Sequence, residues 1–530
     1  MSSANAKLSA WRVAILLLVV PQFCCADELP ATNRPLVDPE PIASLIDSFN
    51  RTDDETIVNA IPNARANEWI AANAPRFECS SRQLTEIYYF RWWCFRKHIK
   101  QTPSGFVVTE FLGPVNHAGE HNTISCALGH HLAEGRWLRD QRFLDDYSRY
   151  WFRGGDASVP MKHFHQFSSW AAAALYDRYL VTGDRKQLVD LLDDLIADYA
   201  AWEAERLTPT GLFWQYDVRD GMEESISGSR TEKHLRPTIN CYMAANARAI
   251  SQTAEMAGQA EAAANFAKKA DALGDKIRDS LWDADAQFFK VRLESGKLSD
   301  AREAIGFLPW TFDLARPEHA AAWRQLRDPA GFMAPHGLTT AERRHPKFRT
   351  HGTGTCEWDG AVWPFATSQT LVGLAKLLRG SAQPYVTPQD FIDQLLRYAE
   401  AHQLNGKPYL GEYHDEQTGA WLITGPKAER SRYYNHSTFA DLVIAGLVGI
   451  VPRSDDRLEV NPLIPNDAWD WFCLENVPYH GRSVSVVWDR HGERYDRGKG
   501  LSLWCDGVMI ARSPSLQRTI ASLPPATSAE

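Results

Sequence analysis

The chain is poor in cysteine, poor in positive charge and, beyond its first twenty residues, without long apolar runs. Nine Cys occur in 530 residues. Those beyond position 26 (Cys79, Cys94, Cys126, Cys241, Cys356, Cys473 and Cys505) are odd in number and form no Cys-x-x-Cys. That excludes a small disulfide-stapled fold and a cysteine-based structural zinc site. Buried thiols, or one or two incidental disulfides in a large core, are expected instead. A formal net charge of −9 argues against nucleic acid, whose phosphates need a basic face. No later stretch approaches the ~18 uninterrupted apolar residues of a membrane span, so an integral membrane protein is not expected. Phosphate loops, dinucleotide fingerprints and kinase signatures are missing too, and no cofactor is implied.

One apolar run does exist, Val13 to Val20. It follows Lys7 and Arg12 and precedes the small pair Cys25-Ala26. This is the layout of a secretory signal peptide over residues 1–26, so a secreted or periplasmic chain cleaved near Ala26 is expected. Removing Lys7 and Arg12 makes the remainder more acidic still.

The chain is rich in aromatics: 19 Trp, 17 Tyr and 23 Phe. Such rings fill helical cores, and their flat faces also stack on sugars. A chain this long exceeds one hydrophobic core, so two or three units are expected. Residues 27–80 read as an irregular lead-in with one short helix. From 81 to 451, apolar positions recur at helical spacing, as in Leu188, Leu191, Leu192, Leu195, Ile196 and Tyr199, or Phe266, Ala270, Leu273, Ile277 and Leu281. Further helices are expected at 120–133, 141–152, 166–182, 242–256, 317–328, 362–379, 388–404 and 437–448. Paired helices without central strands predict a mainly α chain, an (α/α)6 toroid of helical hairpins. Residues 452–530 change character: Ser483–Trp488 and Leu501–Cys505 alternate with period two, and Asp506-Gly507 marks a hairpin turn. They are expected to form a small C-terminal β domain and tail.

Two segments set acids beside glycine and aromatics. The first runs Phe213-Trp214-Gln215-Tyr216-Asp217-Val218-Arg219-Asp220-Gly221-Met222-Glu223-Glu224-Ser225. The second runs Tyr409-Leu410-Gly411-Glu412-Tyr413-His414-Asp415 to Gly419. One acid to protonate a leaving oxygen and another to activate water is what glycoside hydrolysis needs. Glu357 and Asp359, between aromatics in Thr355-Cys356-Glu357-Trp358-Asp359, are further candidates. Asp359 suits a sugar hydroxyl or the cap of the helix beginning near Trp363 equally well.

Several stretches resemble the (α/α)6 glycosidases of the mannosylglycerate hydrolase and processing α-glucosidase group, glycoside hydrolase family 63 and its relatives. They are His165-Gln166-Phe167-Ser168-Ser169-Trp170, Asp220 to Ser225, Arg236-Pro237-Thr238-Ile239-Asn240, Trp358-Asp359-Gly360-Ala361-Val362-Trp363-Pro364, and Gly411-Glu412-Tyr413 through Thr418-Gly419. Leu458-Glu459-Val460-Asn461-Pro462 resembles the start of a glycosidase β appendage. The resemblance implies Glu223 as general acid, Glu412 as general base, inversion, and an α-linked oligosaccharide or glycoside substrate. The family carries Asp where this chain has Glu223, so Asp220, Glu224 and Glu357 stay open as alternative catalytic acids. Trp170, Trp214, Tyr216, Asn240, Trp358, Asp359, Trp363, Tyr413 and His436 are the expected substrate contacts.

Other chemistries remain. His117-x-x-Glu120-His121 matches an inverted zinc-protease pattern, but Gly119 interrupts the helical turn that pattern needs, so no metal is expected. His163, His165 and Tyr433-Tyr434-Asn435-His436, with Arg153, Arg430 or Arg432 to neutralise a uronate, would suit a polysaccharide lyase. A catalytically inactive carbohydrate-binding homologue is the third reading.

Overall fold

A computed structural model describes residues 35–155 and 161–525. The expected signal peptide lies outside the described residues.

Between Arg82 and Val448 the chain lays down an outer helix, then an inner one, six times. The outer elements are Arg82–Lys97, Arg142–Arg153, Leu192–Arg206, Ala260–Leu281, the 3-10 stretch Pro317–Trp323, and Pro388–Ala401. Their inner partners are Leu128–Gly135, Ala171–Thr182, Pro237–Met256, Leu308–Thr311, Pro364–Gly380 and the π-helix Leu442–Val448. This is an (α/α)6 toroid. The outer helix Ala260–Leu281 buries one stripe, with Phe266, Ala270, Leu273, Ile277 and Leu281, whereas Arg82–Lys97 is buried on nearly every side. Inner helices are buried nearly all round, as Pro237–Met256 is from Pro237 to Ala254. Proline opens Pro237–Met256, Pro364–Gly380 and Pro388–Ala401, where its missing N–H costs nothing.

The ring closes through one carboxylate. Glu134, at the end of the first inner helix, accepts the backbone N–H groups of Phe439, Ala440 and Asp441 at 2.9–3.2 Å. These are donors that the start of the last inner helix cannot satisfy itself. Beside it, Arg136 pairs with Asp441 at 2.7 Å. Along the axis the inner helices enclose a cavity of about 660 Å³, lined by His130, Trp170, Asp177, Phe312, Lys376 and Arg379 among others.

The C-terminal strands form two sheets. The larger has the order β1 (Arg76–Cys79), β2 (Trp471–Tyr479), β3 (Arg482–Asp489), β4 (Gly500–Cys505) and β5 (Val508–Ser513), each antiparallel to the next. Asp506-Gly507 makes the β4–β5 hairpin, with φ of 47° and 80°, the left-handed pair a two-residue turn requires. A smaller sheet joins Ile450–Val451, Arg457–Val460 and Thr519–Ser522.

Several expected elements are displaced. The helix read at 120–133 begins only at Leu128, because 116–122 is a run of turns. The one at 317–328 is mostly 3-10, and the one at 437–448 is largely the π-helix Leu442–Val448. The lead-in carries more structure than one short helix: Pro39–Thr52, Ala66–Asn73 and β1 all lie in it. Arg82–Lys97 was not among the expected helices. The cysteines from Cys79 onward are free thiols, and all but Cys356 are buried. Among the described residues no helix is long and apolar enough to cross a membrane.

Replacing Glu134 with Ala would strand three N–H groups and leave the buried Arg91, 3.9 Å away, without its carboxylate. Urea unfolding should register a loss of about 3 kcal/mol or more. A loss below about 1 kcal/mol would mean that the ring does not depend on this closure.

Candidate active site

Loops at one end of the ring bring three glutamates together. The first, Glu223, follows the 3-10 turn Asp217–Arg219 and Gly221, whose φ of 69° turns the chain. The loop is tied down by Asp220, whose Oδ2 accepts from Arg236 Nε at 2.6 Å with both side chains wholly buried. It is tied again by the Trp358 N–H donating to the Glu223 carbonyl at 3.3 Å. The Glu223 carboxylate itself accepts no hydrogen bond from another side chain among the described residues.

Glu412 lies on a hairpin-like segment. His414 bridges Val362 on one side and Trp421 on the other. Gly411 is required there, since a Cβ would lie 2.5 Å from the Trp421 ring. Unlike Glu223, Glu412 is well partnered: Ser431 Oγ donates to Oε2 at 2.9 Å and Arg430 Nη2 at 3.4 Å.

The third acid, Glu110, sits just past the strand Gly105–Val108. It contacts the Tyr434 hydroxyl and lies 3.6 Å from Cys126 Sγ. Burial pushes Glu223 up to about 7, with a further rise from the Glu412 charge. Burial pushes Glu110 up to about 8, against the Tyr434 hydroxyl and with both other glutamates adding. Glu412 is also raised by burial, but Arg430 and Ser431 oppose the rise. These mutual effects place the three carboxyls within reach of one another's charge.

Residues 120–437 match the family described as mannosylglycerate hydrolase MGH1-like glycoside hydrolase domain. The chain belongs to this family. Residues 453–510 match the C-terminal domain of glycosyl hydrolase family 65. A solved sialidase is 47% identical over 92% of this chain, with a TM-score of 0.90; the match spans only 45% of that longer protein. The family 63 mannosylglycerate hydrolase of Thermus thermophilus shares the fold at 14% identity, covering 67% of this chain and 98% of its own, with a TM-score of 0.51. A family 78 rhamnosidase from Bacillus sp. GL1 does so at 14%, over 78% of this chain and 40% of its own, with a TM-score of 0.58.

Within this member of the MGH1-like family, several expected roles need revision. Asp220 is consumed by Arg236, and Glu224 faces outward to Arg230 at 2.6 Å. Glu357 is wholly buried, with Oε1 accepting the Thr355 N–H at 3.1 Å. Asp359 does not cap the helix at Trp363, which has no side-chain cap. It accepts instead from the backbone N–H and Nδ1 of His351, both at 3.0 Å.

The expected aromatic contacts mostly stack on one another. Trp363 has Trp358 at 4.6 Å and Tyr413 at 4.4 Å, both near-parallel, while His436 meets it edge-on. All four rings are buried, so they stiffen the site rather than offer open faces. Arg206 and Lys233 lie over Trp214, which meets Tyr216 edge-on at 5.0 Å. Asn240 spends its amide on Phe213 and Arg236 backbone groups. Trp170 lines the axial cavity, whose lining includes none of the three glutamates.

Sequence reading overlooked Glu110 and Ser431 and met Arg430 only as a lyase candidate. The available signal was a lone acid in the apolar run Val107-Val108-Thr109-Glu110-Phe111-Leu112.

Because the folded pKa of Glu223 exceeds its ordinary value of 4.5, the unfolded chain releases this proton first. Stability therefore falls as pH rises from about 4.5 to about 7. Glu223→Gln should make the melting temperature fall less steeply over that interval; an unchanged slope would show that Glu223 titrates normally.

Proposed function

We propose that this glycoside hydrolase cleaves an O-glycosidic bond with inversion, Glu223 acting as acid and Glu412 as base. The supporting observation is the inequality of their surroundings. Glu223 is desolvated and has no side-chain hydrogen-bond donor, so burial and the Glu412 charge outweigh its own backbone N–H and Arg230 and favour its neutral form. Glu412 accepts from a hydroxyl and a guanidinium, which favours its anion. Neighbouring carboxyls whose proton affinities are pushed apart are suited to opposite roles.

In this scheme Glu223 gives its proton to the leaving oxygen as the C1–O bond breaks. Glu412 takes a proton from the water that attacks C1 from the opposite face. The new C1–OH bond carries the inverted configuration, and the acid and base are later reset through solvent. Inversion requires room for that water, about 6.5–9.5 Å between the carboxyls. The family 63 resemblance makes α-linked glycosides the first substrates to try. The leader-like residues 1–26 support action outside the cytoplasm.

The lyase reading loses support from its arginines. Arg153 is engaged by Asp190 and Asp194, and Arg432 by Asp54 and Glu429, leaving Arg430, already on Glu412. One observation favours sialoside cleavage: sialidases use a Tyr nucleophile, and Tyr434 contacts Glu110 here. Against it, burial drives the Tyr434 phenol far above its usual range.

A panel of α- and β-glycosides, sialosides and uronate polymers, followed by anomer-resolved NMR, tests the proposal. Free sugar of inverted configuration is expected. Glu412→Gln should lower kcat by about a thousandfold or more. Activity should fall as pH rises through about 7, where Glu223 loses its proton. Retained configuration, an unsaturated product, or an active Glu412→Gln enzyme would each refute it.

A further inference from the structure

Glu110 lies outside the matched residues 120–437 and has no part in the two-carboxylate scheme. Yet it is nearly fully buried beside both working acids. Phe111, Ala118, Ile124, Cys126, Phe167 and Tyr434 form a small apolar cluster of their own around it. The titratable groups facing it are Tyr434, Cys126, Tyr147, Glu412 and Glu223. The Arg430 guanidinium lies over the adjoining Phe111 ring at 5.9 Å and pairs with Glu412 instead. No cation forms an ion pair with Glu110 among the described residues. An anion there would be an unpaired buried charge next to two others.

A neutral acid fits the same contacts without that penalty. It accepts the Tyr434 hydroxyl at Oε1 and the Cys126 thiol at Oε2, two contacts that oppose the rise from burial without cancelling it. Tyr434 in turn reaches both sides of Glu412. Its N–H donates to the Leu410 carbonyl at 3.3 Å, two residues before Glu412. Three residues before Tyr434 is Ser431, the hydroxyl donor to Glu412. The clasp is doubled in the backbone, where the Asn435 N–H donates to the Glu110 carbonyl at 2.9 Å.

We propose that Glu110 is a positioning residue of this site: as a neutral acid it clasps Tyr434 and so fixes the segments that hold and partner Glu412, without adding a third charge. The role rests on Glu412 being the base. Raising the Glu110 proton affinity toward that of Glu223 also keeps the two acids protonated over a similar pH range.

The test compares Glu110→Gln with Glu110→Ala in the whole chain. Gln copies a neutral acid, so it should keep kcat/KM within about threefold near pH 6, while Ala loses about tenfold or more, chiefly in kcat. The alkaline limb, steeper than one proton in the parent, should become a one-proton limb in Glu110→Gln. Equal damage from Gln and Ala, or an unaltered limb, would overturn the proposal. If the parent enzyme hydrolyses nothing in the panel, the glycosidase scheme fails and Glu110 is judged by melting alone. The fall in melting temperature from about pH 5 to about pH 8 should be shallower in Glu110→Gln; an identical fall would overturn its neutrality.

Discussion

The toroid depends on its ends meeting, and they meet through a buried carboxylate. Glu134 grips three backbone N–H groups at the start of the last inner helix, with Arg136–Asp441 alongside. A ring of hairpins made from successive local contacts would otherwise stay an open arc, with its first and last inner helices facing water. Closure has a second effect. It brings Tyr433 to His436, just before the gripped helix, against the first hairpin, where His98 and His131 hold the Tyr433 and Asn435 carbonyls. The segment that partners Glu412 is thereby joined to the segment that carries Glu110.

Desolvation then sets the chemistry. Three carboxyls lie within reach of one another's charge where charge is costly, and their partners differ. Arginine and serine side chains bond to Glu412, while Glu223 has only its own backbone N–H and the more distant Arg230, and Glu110 has a phenol and a thiol. The stacked rings Trp358, Trp363 and Tyr413 contribute rigidity and dryness. Burial of this kind raises the proton affinity of ordinary carboxylic acids toward neutrality, as it does for Glu223 and Glu110.

Much of the architecture was legible in the sequence. Helical periodicity and the change to alternation after 452 identify the toroid and the β strands, and the Asp-Gly pair identifies its hairpin. The first outer helix, Arg82–Lys97, escaped because it is buried on nearly every side, so Tyr88 to Phe95 show no polar face to mark the period. Trp363 illustrates the limit for the site. An aromatic beside a catalytic-looking acid looks like a sugar platform, yet both its faces are taken by neighbouring rings that stack on it. Asp220 and Asn240 are similar, being polar groups whose partners only the fold reveals. Glu110 and Glu412 are 302 positions apart in the numbering, and no local pattern announces that each feels the other's charge.

The central claim is that Glu223 holds a proton that Glu412 does not. Difference infrared spectroscopy reads this without a substrate. At about pH 6 the parent should show protonated-carboxyl absorption with a component that fades as pH rises through about 7; Glu223→Gln should remove that component and leave the one belonging to Glu110, while Glu412→Gln leaves the fading component in place. If Glu412→Gln removes that component instead, or neither substitution does, the assignment of acid and base is wrong.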